Sequence, residues 1–273
     1  MDKTIAPSDP SFSHFKDKCV CCEQSGKKMN KEHIFPQWLL KRAKAAKDPF
    51  SSPYGPVPGD KLTVPLCCEC NSLLGEVLEK PVSRIFESIE SNQGFNDYDA
   101  ELLIRWMWKI NGIYYWSVCN ENWKYGFQTV KDRVLNNIEW PRERLSIAIS
   151  LIDNPFENGN NAPVGIDVLP LECNLYAAGV FSKLCIIVLR TEYTKLIDQS
   201  KFTVYTLNAN NPLLLNPQNK TYPVCGFSTG QEAISYVKAF FGPHSQMYML
   251  HEAIALQIQK AFAEQIDALG KVP

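Results

Sequence analysis

The chain has 273 residues with 45% hydrophobic and 11% aromatic content, which is enough to build a packed core and excludes wholesale disorder. Its formal net charge of -1 excludes a global basic field that would attract nucleic acid. The first 48 residues nevertheless hold ten Lys and Arg against six Asp and Glu. Any surface that binds nucleic acid is therefore predicted at the N-terminal end.

Two features of the sequence predict a cytoplasmic protein that does not bind membranes. No stretch approaches the roughly 18 apolar residues of a membrane helix, and residues 1–15 lack the apolar block of a secretory signal peptide. A reducing cytoplasm disfavours disulfides, so cysteines that occur in pairs there favour metal binding.

Two Cys-x-x-Cys pairs lie near the N-terminus, Cys19 with Cys22 and Cys67 with Cys70. Well-separated pairs of this spacing are typical of structural zinc sites, in which four thiolates form a tetrahedron around the ion. Each pair has one further Cys beside it, but only these four residues use the same spacing twice. We predict a zinc ion bound by these four side chains, and the alternative is a set of reduced thiols in the core.

Between the two pairs, Glu32 and His33 lie on a short segment predicted to be extended. A helix is predicted over residues 37–47, and one of its sides is basic. The basic side chains are Lys41, Arg42, Lys44 and Lys47. Because Lys and Arg neutralise phosphates whatever the base sequence, this side is a candidate nucleic-acid surface. A solvated helix face is the alternative interpretation.

A loop over residues 48–65 follows, because five prolines and two glycines exclude long regular structure. A second helix is predicted to begin near Asn71 and Ser72, which are both good N-cap residues, and to be interrupted or restarted at Pro81. The polar segment 91–97 then predicts a boundary between two domains.

The two predicted domains are residues 1–95 and residues 96–273. The second begins with an aromatic-rich buried helix over 98–118 and ends with an amphipathic helix over 245–269. Its predicted strands are residues 145–152, 175–180, 184–189 and 201–207. Because the connections are too short for crossover helices, an antiparallel sheet is expected. This domain could bind a protein partner or a second copy of the chain.

The order and spacing of these motifs resemble the HNH, or His-Me finger, endonucleases. The resemblance covers about residues 19–80 and rests on Glu32-His33-Ile34-x-Pro36 and Pro65-Leu66-Cys67-x-x-Cys70-Asn71. In that family, two zinc knuckles often hold a β-β-α unit. The resemblance therefore implies an α+β fold with an N-terminal ββα-metal core and a zinc site made of four cysteines.

The resemblance also implies a function, which is metal-dependent hydrolysis of phosphodiester bonds in DNA, with RNA as an alternative substrate. A role in bacterial defence or in a mobile element is a further implication. His33 would be the general base, because a neutral imidazole accepts a proton near pH 7. Asn71 and Glu32 match positions that bind the catalytic cation, Mg²⁺ or Mn²⁺.

Two residues depart from the family pattern. Glu32 stands where most members have Asp, so its carboxylate is carried on a side chain that is longer by one methylene. The family's middle Asn, which steadies the loop that holds the His, is replaced by residues 61–64, Lys-Leu-Thr-Val. Another group must therefore hold His33. The alternative function is a non-catalytic zinc-binding module that binds nucleic acid or protein.

Overall fold

The computed structural model describes residues 18–50, 55–119, 129–136, 141–157, 160–167, 176–209 and 219–240. The amphipathic helix predicted over 245–269 lies outside these ranges. Within them, none of the helices combines the length and the apolar character needed to cross a bilayer.

The fold is mixed α+β with antiparallel sheets and helices, as expected from the sequence. Its N-terminal part consists of β1 (Met29–His33), α1 (Gln37–Arg42), β2 (Pro49–Phe50), β3 (Val57–Pro58) and β4 (Thr63–Cys67). Strands β1 and β4 form a two-stranded antiparallel sheet in which His33 lies opposite Thr63 and Met29 lies opposite Cys67. Helix α1 is shorter than the predicted helix over 37–47, and Lys44 beyond its end has a left-handed φ of 56°.

A continuous helical segment follows β4 directly and contains α2 (Cys68–Leu74), a π-helical turn (Gly75–Glu79) and α3 (Lys80–Glu90). The prediction of a start near Asn71 is wrong, because the Cys67 side chain accepts from the Cys70 backbone N–H and so caps the helix earlier. Pro81 lies in the first turn of α3, where proline is tolerated, so an α-helix restarts there and the helical segment is not interrupted.

The second part of the fold is a six-stranded sheet with helices. Its elements are α4 (Asp97–Cys119), α5 (Val130–Leu135), β5 (Leu145–Asn154), β6 (Val164–Asp167), β7 (Ala177–Phe181), β8 (Leu184–Arg190), β9 (Thr203–Thr206), β10 (Val224–Thr229) and α6 (Gly230–Phe240). The strand order is β10-β5-β8-β7-β6, and β9 also pairs with β5. All pairings are antiparallel except that of β10 with β5, which is parallel. The four predicted strands are confirmed with small shifts of their ends.

One cluster of buried side chains includes residues from both sides of the predicted boundary at residue 95. Trp106 on α4 is fully buried, and its ring lies 6.0 Å from that of Trp38, 5.4 Å from that of Phe86 and 5.0 Å from that of Phe181. Aromatic pairs at such distances favour tilted or edge-to-face packing. Helix α4 therefore packs directly against α1 and α3 of the N-terminal part.

Candidate functional site

Four cysteines form a cluster of the kind that zinc requires. The Sγ atoms of Cys19, Cys22, Cys67 and Cys70 all lie within 4.8 Å of one another, and those of Cys22 and Cys67 are 3.9 Å apart. A tetrahedron with zinc–sulfur distances of about 2.3 Å places its sulfur atoms about 3.8 Å apart. The predicted proximity of the four cysteines is confirmed, and their arrangement is compatible with a structural zinc site.

Backbone groups at the end of β4 hold two of these sulfurs in place. The Cys67 N–H donates to Cys19 Sγ at 3.2 Å, and the Cys70 N–H donates to Cys67 Sγ at 3.4 Å. Hydrogen bonding with Cys70 and burial raise the pKa of the Cys19 thiol to about 12. Because a bound cation favours the thiolate, zinc would bind to this cluster in exchange for protons.

The neighbouring Cys68 is not part of the cluster, because its Sγ donates to Asn30 Oδ1 at 3.4 Å. A metal site needs at least three ligand atoms from His, Cys, Asp or Glu close together. Among the described residues, only the four cysteines form such a group.

His33 is the last residue of β1, and its ring is held by the backbone. Its Nε2 lies 3.2 Å from the carbonyl oxygen of Asp60. A carbonyl oxygen only accepts, so Nε2 carries the hydrogen and Nδ1 is the unprotonated nitrogen of the neutral ring. This carbonyl is a group that holds His33, as expected from the sequence, in which residues 61–64 contain no Asn. Sequence reasoning missed it because a backbone carbonyl has no side-chain signature.

The position of that carbonyl is fixed by the short 3-10 turn Gly59–Lys61. The Gly59 N–H donates to the Asp48 carbonyl at 3.1 Å, and the Asp60 N–H donates to the Ala46 carbonyl at 2.9 Å. A Cβ atom at Gly59 would lie 2.6 Å from Phe50 Cε2. Glycine therefore lets the turn approach its neighbours this closely, and a larger residue would force the Phe50 ring to shift.

Glu32 points to the opposite face of β1 from the neighbouring His, as strand alternation requires. Its Oε1 lies 2.7 Å from Lys109 Nζ, and this ammonium also lies 2.6 Å from Glu79 Oε1. The second oxygen of Glu79 accepts the indole N–H groups of Trp38 at 2.9 Å and Trp106 at 3.3 Å. We refer to Glu32, Lys109 and Glu79 as the Lys109 cluster.

Lys109 is fully buried, so its charge depends on these two carboxylates. Burial alone would lower its pKa, but attraction to Glu79 and Glu32 outweighs burial and raises the pKa above its ordinary value. Removing one partner of such a buried ion pair typically costs about 3–5 kcal/mol. The sequence carried a weak signal for this cluster, which is a lone Lys within an apolar, aromatic helix.

Asn71 lies in α2 and is half-buried. It precedes the buried Leu74 and Leu78 by three and seven residues, so it lies on the side of the helix that faces the core. Among the described residues, no hydrogen bond joins its side chain to His33. The structure thus brings Glu32 and Glu79 together through Lys109, whereas His33 and Asn71 remain on separate elements.

Two of the four basic side chains predicted to bind phosphate are used within the protein. Arg42 donates to the carboxylate of Glu90, and Lys47 donates to the carboxylate of Asp60. The attraction of Lys47 lowers the pKa of Asp60 below its ordinary value.

The other two basic side chains, Lys41 and Lys44, are exposed, and Lys44 Nζ lies 4.9 Å from the ring centre of Phe156. A further exposed Lys was not singled out by sequence reasoning. Lys31 lies two residues before His33 on β1, so the two side chains share a face of the strand.

No family model matches the chain, and comparisons with curated proteins and with solved structures give no match. The functional interpretation therefore rests on the geometry of these residues.

Proposed function

We propose that this protein is a metal-dependent endonuclease of the HNH type that hydrolyses phosphodiester bonds in DNA. The observation that carries the proposal is the fixed imidazole of His33, at the end of a two-stranded antiparallel sheet whose other strand leads into a four-sulfur cluster. In this proposal the cluster binds a structural zinc ion, which joins the start of the chain to the helix after β4 and takes no part in turnover.

His33 is the proposed general base. Because Nε2–H donates to the Asp60 carbonyl, the free nitrogen of the neutral ring is Nδ1, which can accept a proton from an attacking water. A fixed ring matters because a rotated ring would present its protonated nitrogen, which cannot accept a proton from water. The Asp60 carbonyl thus performs the orienting role for which the sequence offers no Asn.

Asn71 is the proposed ligand for the catalytic Mg²⁺ or Mn²⁺, since an amide oxygen suits these hard cations. When bound, the cation would neutralise charge on the scissile phosphate and on the leaving oxygen. Glu32 is the second candidate ligand from the sequence. Its Oε1 is already paired with Lys109, which leaves Oε2 for a cation.

Phosphate contacts are proposed for the exposed Lys31 and Lys41. Lys31 shares a strand face with His33, so a phosphate near the imidazole would also meet its ammonium. Arg42 and Lys47 already form ion pairs with carboxylates of the protein, so their charges are less available to a phosphate.

Cleavage of supercoiled plasmid with Mg²⁺ or Mn²⁺ tests the proposal. We expect wild type to cleave and His33→Ala to be slower by about 100-fold or more, the usual contribution of a general base. Lys80→Gln is the control, because Lys80 is exposed and pairs with Glu76 on its own helix. Equal rates for wild type and His33→Ala would reject the proposal. A labelled RNA competitor in the same assay separates DNA from RNA as substrate.

A second candidate function is a non-catalytic zinc module that binds nucleic acid or protein. The Lys109 cluster favours it, because an ammonium already neutralises the carboxylate next to His33. This function predicts zinc-loaded protein that binds DNA but leaves plasmid intact at every Mg²⁺ and Mn²⁺ concentration.

A further inference from the structure

The two residues that the proposed function needs most lie on different elements. His33 ends β1, and Asn71 lies on the helical segment after β4. A general base and a cation ligand must keep a fixed separation, because misplacement by about 1 Å can cost 100-fold in rate. Some contact between the strand and the helical segment must therefore set their relative position.

The Lys109 cluster makes that contact. Glu32 directly precedes His33 in β1, and Glu79 lies on the same helical segment as Asn71. Lys109 comes from α4, in the part of the chain that sequence reasoning treated as a separate domain, and its Nζ lies 2.7 Å and 2.6 Å from the two carboxylates.

We infer that Lys109 is a positioning residue that holds the strand of His33 against the helical segment of Asn71. The inference rests on the proposed function for its link to cleavage. It assigns to Glu32 Oε1 the task of anchoring β1, while Oε2 stays the oxygen available to a cation. It also makes α4 a part of the active site.

Burial makes this contact rigid. The Lys109 side chain is fully buried, so its ammonium has no water to replace a lost carboxylate. Glu79 is held in turn by two indole N–H groups, from Trp38 on α1 and Trp106 on α4. Glu79 also ends the π-helical turn, a rare structure that is frequent at functional sites. A shift of β1 along the helical segment would break ion pairs that nothing else can satisfy.

The test removes the contact without touching His33, Glu32 or Asn71. Lys109→Met alone would leave two facing carboxylates and could unfold the protein, so the test variant is the double substitution Glu79→Gln with Lys109→Met. In this variant, Glu32 keeps its charge and is 16% exposed, so it stays within reach of water.

Arg105→Met is the matched control. Arg105 lies one helical turn before Lys109 on α4, its side chain is 13% exposed, and it forms an ion pair with Glu101. That partner belongs to its own helix, and the other hydrogen bonds of Arg105 go to the backbone carbonyls of Val134 and Asn136. The control therefore removes a half-buried cation from α4 without releasing β1.

Two quantities are measured, the rate and KM of plasmid cleavage and the NMR signal of the His33 ring at one fixed pH. We expect the double variant to cleave about 10- to 100-fold more slowly with unchanged KM, and its His33 signal to move or split. Arg105→Met should retain the rate and the signal of wild type. The signal is assigned by its loss in His33→Gln.

The inference is overturned if the double variant matches Arg105→Met in both quantities. If wild type does not cleave, the proposed function fails, and the His33 signal alone decides the inference. A signal displaced in the double variant and not in Arg105→Met supports positioning, and a signal unchanged in both overturns it.

Discussion

The four-cysteine cluster makes the most quantitative prediction, which concerns the loss of one of its two pairs. Replacing Cys19 and Cys22 by Ser keeps the size of both side chains and removes half of the sulfur ligands. We expect this double variant to lose its zinc and to unfold at a lower temperature. The cause is the loss of a cross-link between two segments that are distant in sequence.

The size of the effect follows from the length of the loop that zinc closes. Cys22 and Cys67 are 45 residues apart. In the chain-entropy model, a cross-link over that distance lowers the entropy of the unfolded chain enough to stabilise the fold by about 4 kcal/mol. With an unfolding entropy of about 2.1 cal/mol/K per residue over 273 residues, its loss lowers Tm by about 7 °C.

The assay is elemental analysis of the purified variants together with thermal unfolding followed by circular dichroism. Cys68→Ser is the matched control, since Cys68 adjoins the cluster but donates to Asn30. Wild type and Cys68→Ser should each hold one zinc per chain and share a Tm. The reasoning is refuted if the double variant retains one zinc per chain, or if Cys68→Ser loses as much stability as the double variant does.

Further predictions concern the His33 loop and the phosphate surface. Gly59→Ala should lower the free energy of unfolding by about 1–3 kcal/mol in urea titrations, because the new Cβ overlaps a packed ring. Gly75→Ala, where a Cβ meets no atom within 4 Å, should raise it by about 0.4–1 kcal/mol. Lys31→Gln should reduce the slope of log affinity for DNA against log salt by about 0.9, measured by fluorescence anisotropy. Arg42→Met should leave that slope unchanged and instead cost about 1–3 kcal/mol of stability, because it leaves the half-buried Glu90 without its ion pair. A reduced slope would show that Arg42 contacts phosphate.

The cysteine cluster was predictable from the sequence because its ligands are side chains whose spacing is local within each pair. Strands such as β5 and β8 were predictable for a similar reason, since both consist mainly of buried residues rich in Ile, Leu and Val. Strand β10 was missed because half of its residues are exposed and it contains a glycine, so it lacks an apolar pattern.

The contacts around His33 were harder to predict because they join distant residues or use the backbone. Lys109 and Glu32 are 77 residues apart, and nothing in local sequence pairs a Lys in one helix with a Glu in one strand. The role of the Asp60 carbonyl also could not be predicted, because every residue carries a backbone carbonyl. The start of α2 was misplaced because a cysteine side chain serves as its cap, where oxygen-bearing side chains are the usual signal.

Anomalous X-ray diffraction from crystals soaked in Mn²⁺ would test the central claim most directly. The account predicts two separate metal ions in each chain. Zinc should lie among the four cysteine sulfurs, and manganese should lie within reach of both Asn71 and His33. Manganese found only at the cysteines, or at a site away from the imidazole, would contradict the account.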